Sequence, residues 1–411
     1  MPVRAETRSD PDSVRAADQH PDRTLSLSAG TAHSCWPAPE PAVHQFACFR
    51  KSPRPCINQN LVDQLKPLRE YRFRKYGTDH EKFISYATAI SVMIGTPFRI
   101  TSIEQARKLP KIGSKLLVKI EEFLRTGKIQ DAQNITASNE FKVLTLLTSV
   151  HGIGPKKARQ LYEDENVRTL QQLVPFLKEP DQERLRKYHA HLTEKIPRAE
   201  VESIHEFVKI QIDKIQRGSF SILSGGYRRG KEYCNDVDIL ITFPHAEGIE
   251  RGFLRKLVDR LLEKGLIPPD GVLDLSEAGT NRDRSLVANK TASRIDALDR
   301  AMVIFRHPAA AAASAAHGEV SLLGRTRDKY RRVDLIVSRW GSWGSAVVGW
   351  TGSTQFERDL RRHAERQGLK FDSGGIRTRD TDQPVEAQSE EDVFRVLGLE
   401  YIPPELRNAD P

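Results

Sequence analysis

The spacing of apolar residues changes period near residue 218, and this change restricts the fold more than any other feature of the chain. Before it, segments such as HEKFISYATAISVMI and SKLLVKIEEFLRTGKI place apolar residues every three to four positions, the period of helices packed on one face. After it come short β-patterned runs: FSILSG, DVDILITF, GVLDLSE, AMVIFR, RRVDLIV and SAVVGW, with the amphipathic stretch RGFLRKLVDRLLEKG among them. Helices followed by strands interleaved with helices predict an α+β, multi-domain protein with a mostly antiparallel sheet in its second half. A chain of 411 residues leads us to expect two to four domains. The boundaries read as a disordered Pro-, Ser- and Ala-rich tail over 1–56, helical domains over 57–133 and 134–217, a sheet domain over 218–345, and a smaller α/β unit over 346–411. HPAAAAASAAHG, residues 307–318, reads as a surface loop inserted between two strands.

Charge narrows the partners. The chain has 64 Lys and Arg against 55 Asp and Glu, a net +9 that favours a polyanion. Residues 60–130 hold 14 basic against 7 acidic side chains, an excess of 14 − 7 = +7, so most of the net charge is pooled in one module. No stretch approaches the roughly 18 apolar residues of a membrane span, and a membrane is not an expected partner. No apolar signal core opens the chain, and Glu6, Asp10, Asp12, Asp18 and Asp22 argue against an acid-poor transit peptide. Four cysteines, at 35, 48, 56 and 234, suit a reducing compartment and offer no disulfide framework. His33, Cys35, His44, Cys48 and Cys56 cluster without the tight spacing of a zinc knuckle, so a zinc site is not expected there.

LPKIGSKLLVKI (109–120) and VHGIGPKKARQL (150–161) align without gaps. Each reads as a helix-hairpin-helix, a tight glycine turn whose backbone N–H groups meet a phosphate at a helix N-terminus. The second copy has the full Gly152-Ile153-Gly154 turn. The first keeps Gly113 but has Lys111 at the leading position. One such motif is commonly an ordinary αα-hairpin; two in a basic region predict DNA gripped by its backbone, without sequence preference.

The chemistry is concentrated in GGYRRGKEYCNDVDIL, residues 225–240. Alternate residues of a strand share a face about 6.7 Å apart, so Asp236 and Asp238 project together. Such carboxylates can converge on two metal ions roughly 3.5–4 Å apart. Taken alone, an Asp-x-Asp pair is as readily a surface ion-pair patch. Upstream, Gly225 and Gly226 permit close backbone approach to a triphosphate, and Arg228, Arg229 and Lys231 supply charge to neutralise it. Downstream, RRVDLIV carries Asp334 on a second β-patterned run, where a buried carboxylate needs a counter-charge or a metal. Together these predict a two-metal nucleotidyl-transfer site, with Asp334 beside the metal that activates a 3′-hydroxyl and therefore the candidate base.

GGYRRGKEYCNDVDILIT, YRRVDLIV, GWTGSTQFERDLRRHA and YIPPELRNA together resemble the family X DNA polymerases (beta, lambda, mu, terminal transferase and the fungal polymerase IV group) over about residues 57–409. The resemblance implies an 8-kDa-type helical domain and fingers, then a nucleotidyltransferase palm and a small thumb. It implies gap-filling addition of dNTPs to a DNA primer, with two Mg²⁺ or Mn²⁺ ions held by Asp236, Asp238 and Asp334. Arg198 of KIPRAE and Arg229 match the triphosphate-binding arginines. Gly225 and Gly226 match the phosphate-contacting turn, the second standing where some members carry Ser. Asn235 stands where relatives carry Gly or His. Gly349-Trp350 matches the Gly-Trp pair of mu and terminal transferase, whose indole is expected against the nucleotide. Glu357 replaces an Asn that in beta and lambda contacts the incoming base. Arg332 fits the arginine beside the third aspartate, and Arg358 and Arg361 of FERDLRR fit residues facing the template. Without the resemblance, FERDLRR reads as a solvated helix face. In the small domain, Lys119 falls on the Schiff-base lysine of a 5′-deoxyribose-phosphate lyase, with Lys115 and Lys82 at phosphate-binding positions. Neighbouring cations are expected to lower the amine pKa of Lys119; the plainer reading is that all three lysines grip DNA. Thr148, Val150 and Ile153 match positions whose carbonyls hold a monovalent cation, Na⁺ or K⁺.

The polar stretch 276–297 resembles the loop that substitutes for template in mu and terminal transferase, and Gly349-Trp350 and Glu357 lean the same way, while Lys119 leans toward lambda. The mixture implies a fungal polymerase IV-like, monomeric, nuclear enzyme of base excision repair and end joining, with end-joining factors as partners. The first 56 residues are too few for the BRCT domain expected in that group. A template-independent terminal transferase is the alternative, and a non-catalytic DNA-binding scaffold the third reading.

Overall fold

In a computed structural model the structure describes residues 41–246, 248–277, 298–307 and 328–411. Apart from their first residues, the polar stretch 276–297 and the insertion 307–318 lie outside these. No described helix is long and apolar enough to cross a membrane.

The first domain packs helices Gln59–Tyr76, Glu81–Ile94, Ile103–Lys108 and Ser114–Thr126 around Leu65, Ile90, Met93 and Ile120. Every residue from Tyr86 to Ile94 is buried, which fits the apolar, charge-free sequence YATAISVMI. The two hairpin turns share one backbone path. Lys111 adopts φ +64° where Gly152 adopts +80°, and Gly113 and Gly154 precede their helices with φ/ψ of −86°/167° and −77°/172°. The missing leading glycine is thus replaced by a lysine in the left-handed conformation, which costs a non-glycine residue about 1 kcal/mol.

Strands β1 Ile196–Pro197 and β3 Tyr233–Cys234 pair by themselves, and five strands form the palm sheet in the order β2–β4–β7–β6–β5: β2 Phe220–Leu223, β4 Val237–Thr242, β5 Val272–Ser276, β6 Asp299–His307 and β7 Lys329–Val337. Three of its four pairings are antiparallel, as the pattern predicts; β4 and β7 run parallel. Alternation decides which face each residue takes. Val237, Ile239, Ile241, Val333, Leu335 and Val337 point into a core shared with helices Arg198–Ile215 and Phe253–Glu263. Leu240 and Ile336 face the other way, onto a small cluster with Trp343 and Val347. Asp238 and Asp334 belong to that second face.

Two expectations are corrected. SAVVGW is the core of helix Trp343–Thr351, buried along nearly its whole length. An unbroken apolar run has no period, so it cannot distinguish a strand from a helix buried on all sides. Residues 44–56 are also structured, although the sequence assigns them to a disordered tail. Phe46, Ala47 and Cys48 lie in the thumb core with Phe356, Leu360 and Phe394. The Ala47 N–H donates to Asp359 Oδ2 (2.9 Å), and Ser52 exchanges backbone hydrogen bonds with Leu406 and Asn408. Buried Arg50 donates to Ser91 Oγ (2.9 Å) in the first domain. This strap is polar and proline-rich where it crosses solvent, so composition alone hides it.

Candidate active site

The parallel pairing of β4 with β7 sets Asp238 directly opposite Asp334, and Asp236 immediately precedes β4. Ligand oxygens of the three all lie within 4.8 Å of one another. Between them stands Arg332, ion-paired with Asp236 and 3.5 Å from Asp334 Oδ1. Asp334 Oδ1 is buried with no hydrogen-bond donor. Burial, then the Asp334 charge, pushes the Asp238 carboxyl up to about 7, opposed by Arg229; burial raises Asp334 likewise. Two buried carboxylates that disfavour ionising together, one with an oxygen that accepts no hydrogen bond, can take up more positive charge than Arg332 supplies. The residues fit divalent cations, whose hard oxygen preference matches the donor set.

The adjoining turn is built around Gly225. Its φ is +54°, and a Cβ there would overlap Asp238 Oδ2 and come within 2.8 Å of Cγ. Sequence reasoning reserved this glycine for a phosphate; the structure gives its space to the carboxylate. Gly226 packs on the Lys231 side chain, a Cβ meeting its Cδ at 3.1 Å. Arg198 braces the turn from below, donating to the carbonyls of Tyr227 (2.7 Å) and Lys231 (3.2 Å) and lying 3.7 Å over the Tyr227 ring. Arg229 donates to the Thr351 carbonyl and keeps a buried, unpartnered Nε; burial lowers its pKa. Burial, then Arg229 and Arg54, brings Lys231 down to about 8. Cations held close together in partial burial make an anion cradle.

Arg228 does not belong to that cradle. It pairs with Glu390 and donates to Thr351 Oγ1 (2.8 Å), so it joins palm to thumb and supplies no charge to a triphosphate. Asn235 is exposed and accepts from the Lys195 ammonium. It borders a cleft with Arg332, His151 and the second hairpin turn. Gly349 is required by packing, since a Cβ would come 2.8 Å from Ser373 Oγ. Trp350 packs on the cluster beneath the aspartates, its buried indole N–H unpartnered. Glu357 and Arg361 pair one helical turn apart at 2.8 Å, and Arg358 lies half-buried on the same helix, Thr354–Arg366.

Added Cβ atoms at Gly113, Gly152 and Gly154 meet nothing within 4 Å. No internal neighbour demands these glycines at 113 and 154, which leaves the turns open to an approaching backbone. The Val150 carbonyl accepts from the Ile153 N–H (3.1 Å), and Thr148 Oγ1 is turned back to Leu144. Lys82 and Lys115 are exposed, the former 4.8 Å from the Tyr76 ring centroid. Lys119 departs from expectation. It pairs with Asp131 at 2.7 Å and Glu122 at 3.7 Å, and the Asp131 hydrogen bond raises its pKa where neighbouring cations were expected to lower it.

Sequence reasoning missed Glu390, Arg407 and Asn408; Glu390 and Asn408 meet Arg228 and Arg229 across 162 and 179 residues of chain. Glu390 receives both Arg228 and fully buried Arg407 (2.7 Å), and Asn408 Nδ2 donates to the Arg229 carbonyl (3.2 Å).

Family models match for a helix-hairpin-helix domain over 56–129, the DNA polymerase beta palm over 195–339 and the DNA polymerase beta thumb over 346–408. The chain is 32% identical to the DNA-directed DNA/RNA polymerase mu of Homo sapiens over 371 residues, covering 89% of this chain and 72% of that protein. It is 30% identical to the DNA nucleotidylexotransferase of Homo sapiens over 373 residues, and 28% identical to that of Xenopus laevis over 372. Both alignments cover 89% of this chain and 71% of the relative.

Proposed function

The chain belongs to the family X DNA polymerases, and from that premise we propose that it fills short DNA gaps and joins ends by adding dNTPs to a 3′-hydroxyl at Asp236, Asp238 and Asp334. Polymerase activity follows from the family. The observation that carries the site assignment is the meeting of three carboxylates within 4.8 Å beside the Gly225 turn. Two divalent ions, Mg²⁺ or Mn²⁺, would be held by these aspartates and would make the hydroxyl a better nucleophile while offsetting charge on the transferring phosphoryl group. The chain's own residues do the rest. Arg198, Arg229, Lys231 and the Gly225–Gly226 backbone orient the triphosphate, and Asp334 accepts the hydroxyl proton. Trp350 and Glu357 border the nucleotide, with Arg358 and Arg361 toward the template strand. Bound cations would compete with Arg332 for Asp236, leaving its guanidinium for the DNA. Lys82, Lys115 and the two hairpin turns grip DNA backbone, and the 148–153 carbonyls take a monovalent cation.

Primer extension on gapped, blunt and single-stranded DNA with Mg²⁺ and with Mn²⁺ tests this reading. Gap filling that vanishes in Asp236→Ala is expected. Robust untemplated addition without gap filling would replace it with the terminal-transferase reading, which the similarity to nucleotidylexotransferases supports. A second activity, release of a 5′-deoxyribose phosphate through the Lys119 amine, is supported by the partial exposure of that amine. Nuclear repair, acting as a monomer with end-joining factors as partners, is the setting this proposal implies.

A further inference from the structure

Lys119 projects from helix Ser114–Thr126, and Asp131 reaches it from the next helix, Gln130–Ala137. Their Nζ–Oδ2 distance is 2.7 Å, and Glu122 stands 3.7 Å away on the lysine's own helix. Lys119 is about one-fifth exposed, while Asp131 is more than half exposed. The amine is therefore reachable from solvent but is met first by two carboxylates.

We propose that Asp131 restrains the Lys119 amine by holding it as an ammonium ion, so that the small domain reacts with aldehydes only when this pair opens. The inference deepens the lyase part of the proposed function and rests on it for its substrate, the ring-opened aldehyde of an abasic sugar. Imine formation needs the free electron pair on Nζ. The ammonium must first release a proton; the neutral amine then adds to C1′, and the proton returns to the carbinolamine hydroxyl, which leaves as water. Loss of a C2′ proton to solvent then breaks the C3′–O bond, and its electron pair leaves on the 5′-phosphate of the DNA. Asp131 opposes the first of these steps. The Asp131 hydrogen bond is the largest influence on the amine; burial, which works the other way, comes next, and the charges of Asp131, Glu122 and Tyr86 add smaller upward effects. An incoming 5′-phosphate would have to displace Asp131, so the pair also favours substrates able to bind Lys82 and Lys115 at the same time.

The test compares wild type, Asp131→Asn, Lys119→Ala and the Asp131→Asn/Lys119→Ala double variant, with gap filling as the control for folding. Trace labelling by acetic anhydride across pH 6–10, read by mass spectrometry, reports the free amine of Lys119 against Lys115 in the same spectrum. Borohydride trapping on a 5′-incised abasic duplex reports the imine. Asp131→Asn should move the Lys119 labelling midpoint to lower pH and raise its labelling about two- to fivefold at pH 7.5, the scale of a partly exposed ion pair. Lys115 should not change, and trapping should rise by a similar factor only where Lys119 is present. Increased labelling with no adduct in any variant would uphold the restraint and defeat the lyase reading. Unchanged or reduced labelling overturns the proposal. Increased labelling with less adduct overturns it too, since Asp131 would then be assisting the reaction.

Discussion

Gly225 illustrates how closely the candidate metal site and the proposed phosphate turn are fitted together, because a side chain on its Cα would run into the Asp238 carboxylate. Gly225→Ala should displace that carboxylate and add backbone strain at φ +54°. A loss of gap filling of at least about 100-fold is expected, with a stability loss on the order of 1–3 kcal/mol, checked by primer extension and thermal melting. The raised pKa of Asp238 has a separate consequence. A carboxyl whose folded pKa lies above its unfolded value contributes stability below the unfolded pKa and loses it as pH rises through the folded one. Metal-free protein should therefore lose melting temperature between about pH 4 and pH 7. Asp238→Asn should show a smaller loss. Added Mg²⁺ should restore the wild type above pH 7 and leave the variant unmoved; equal restoration of both would place the cation elsewhere. These carboxylates were legible because an aspartate inside a β-branched run is expensive without a partner. The structural reason for Gly225 was not, since the atom it avoids belongs to a strand that a linear reading does not place above it.

Among the elements, the short turn after β2 is held from two sides by charges. Arg228 and Arg407 share Glu390, which begins helix Glu390–Val396. Burial alone would raise the Glu390 pKa, but the Arg228 hydrogen bond and the Arg407 charge hold it below its usual value. Glu390→Ala leaves Arg407, fully buried, without its carboxylate, and should cost about 3–5 kcal/mol. Because the turn that carries Arg229, proposed to hold the triphosphate, is joined to this triad through Arg228, KM for dNTP should rise as well; a stability loss with unchanged KM would confine the triad to packing. The sequence shows Arg228 as one more base in a basic run. Its partner lies 162 residues away, and no local pattern announces such a pair. The same limit explains SAVVGW, whose neighbours on every side decide its conformation. It does not apply to the twin hairpins, where a local repeat and local turn chemistry are the whole signal.

At the scale of the molecule, the strap over residues 44–56 is the part that composition misjudged. Arg50 ties it to the first domain and Ala47 to the thumb. Arg50→Ala should leave the three aspartates in place while loosening both attachments. Faster hydrogen exchange in helix Glu81–Ile94 and in residues 44–52 is expected, with palm strands β4 and β7 unchanged; uniform exchange across all of these would mean that Arg50 has no special place in holding the domains together. Ala47 and Asp359 are 312 residues apart in the chain. A contact of that span closes late, because the intervening chain must be ordered before the contact repays its entropy. During synthesis Phe46 and Cys48 emerge before the thumb that buries them, with both helical domains and the palm made in between. Until then their apolar surface has no native cover, so these few residues are where a chaperone or an aggregation-prone intermediate would first engage the nascent protein.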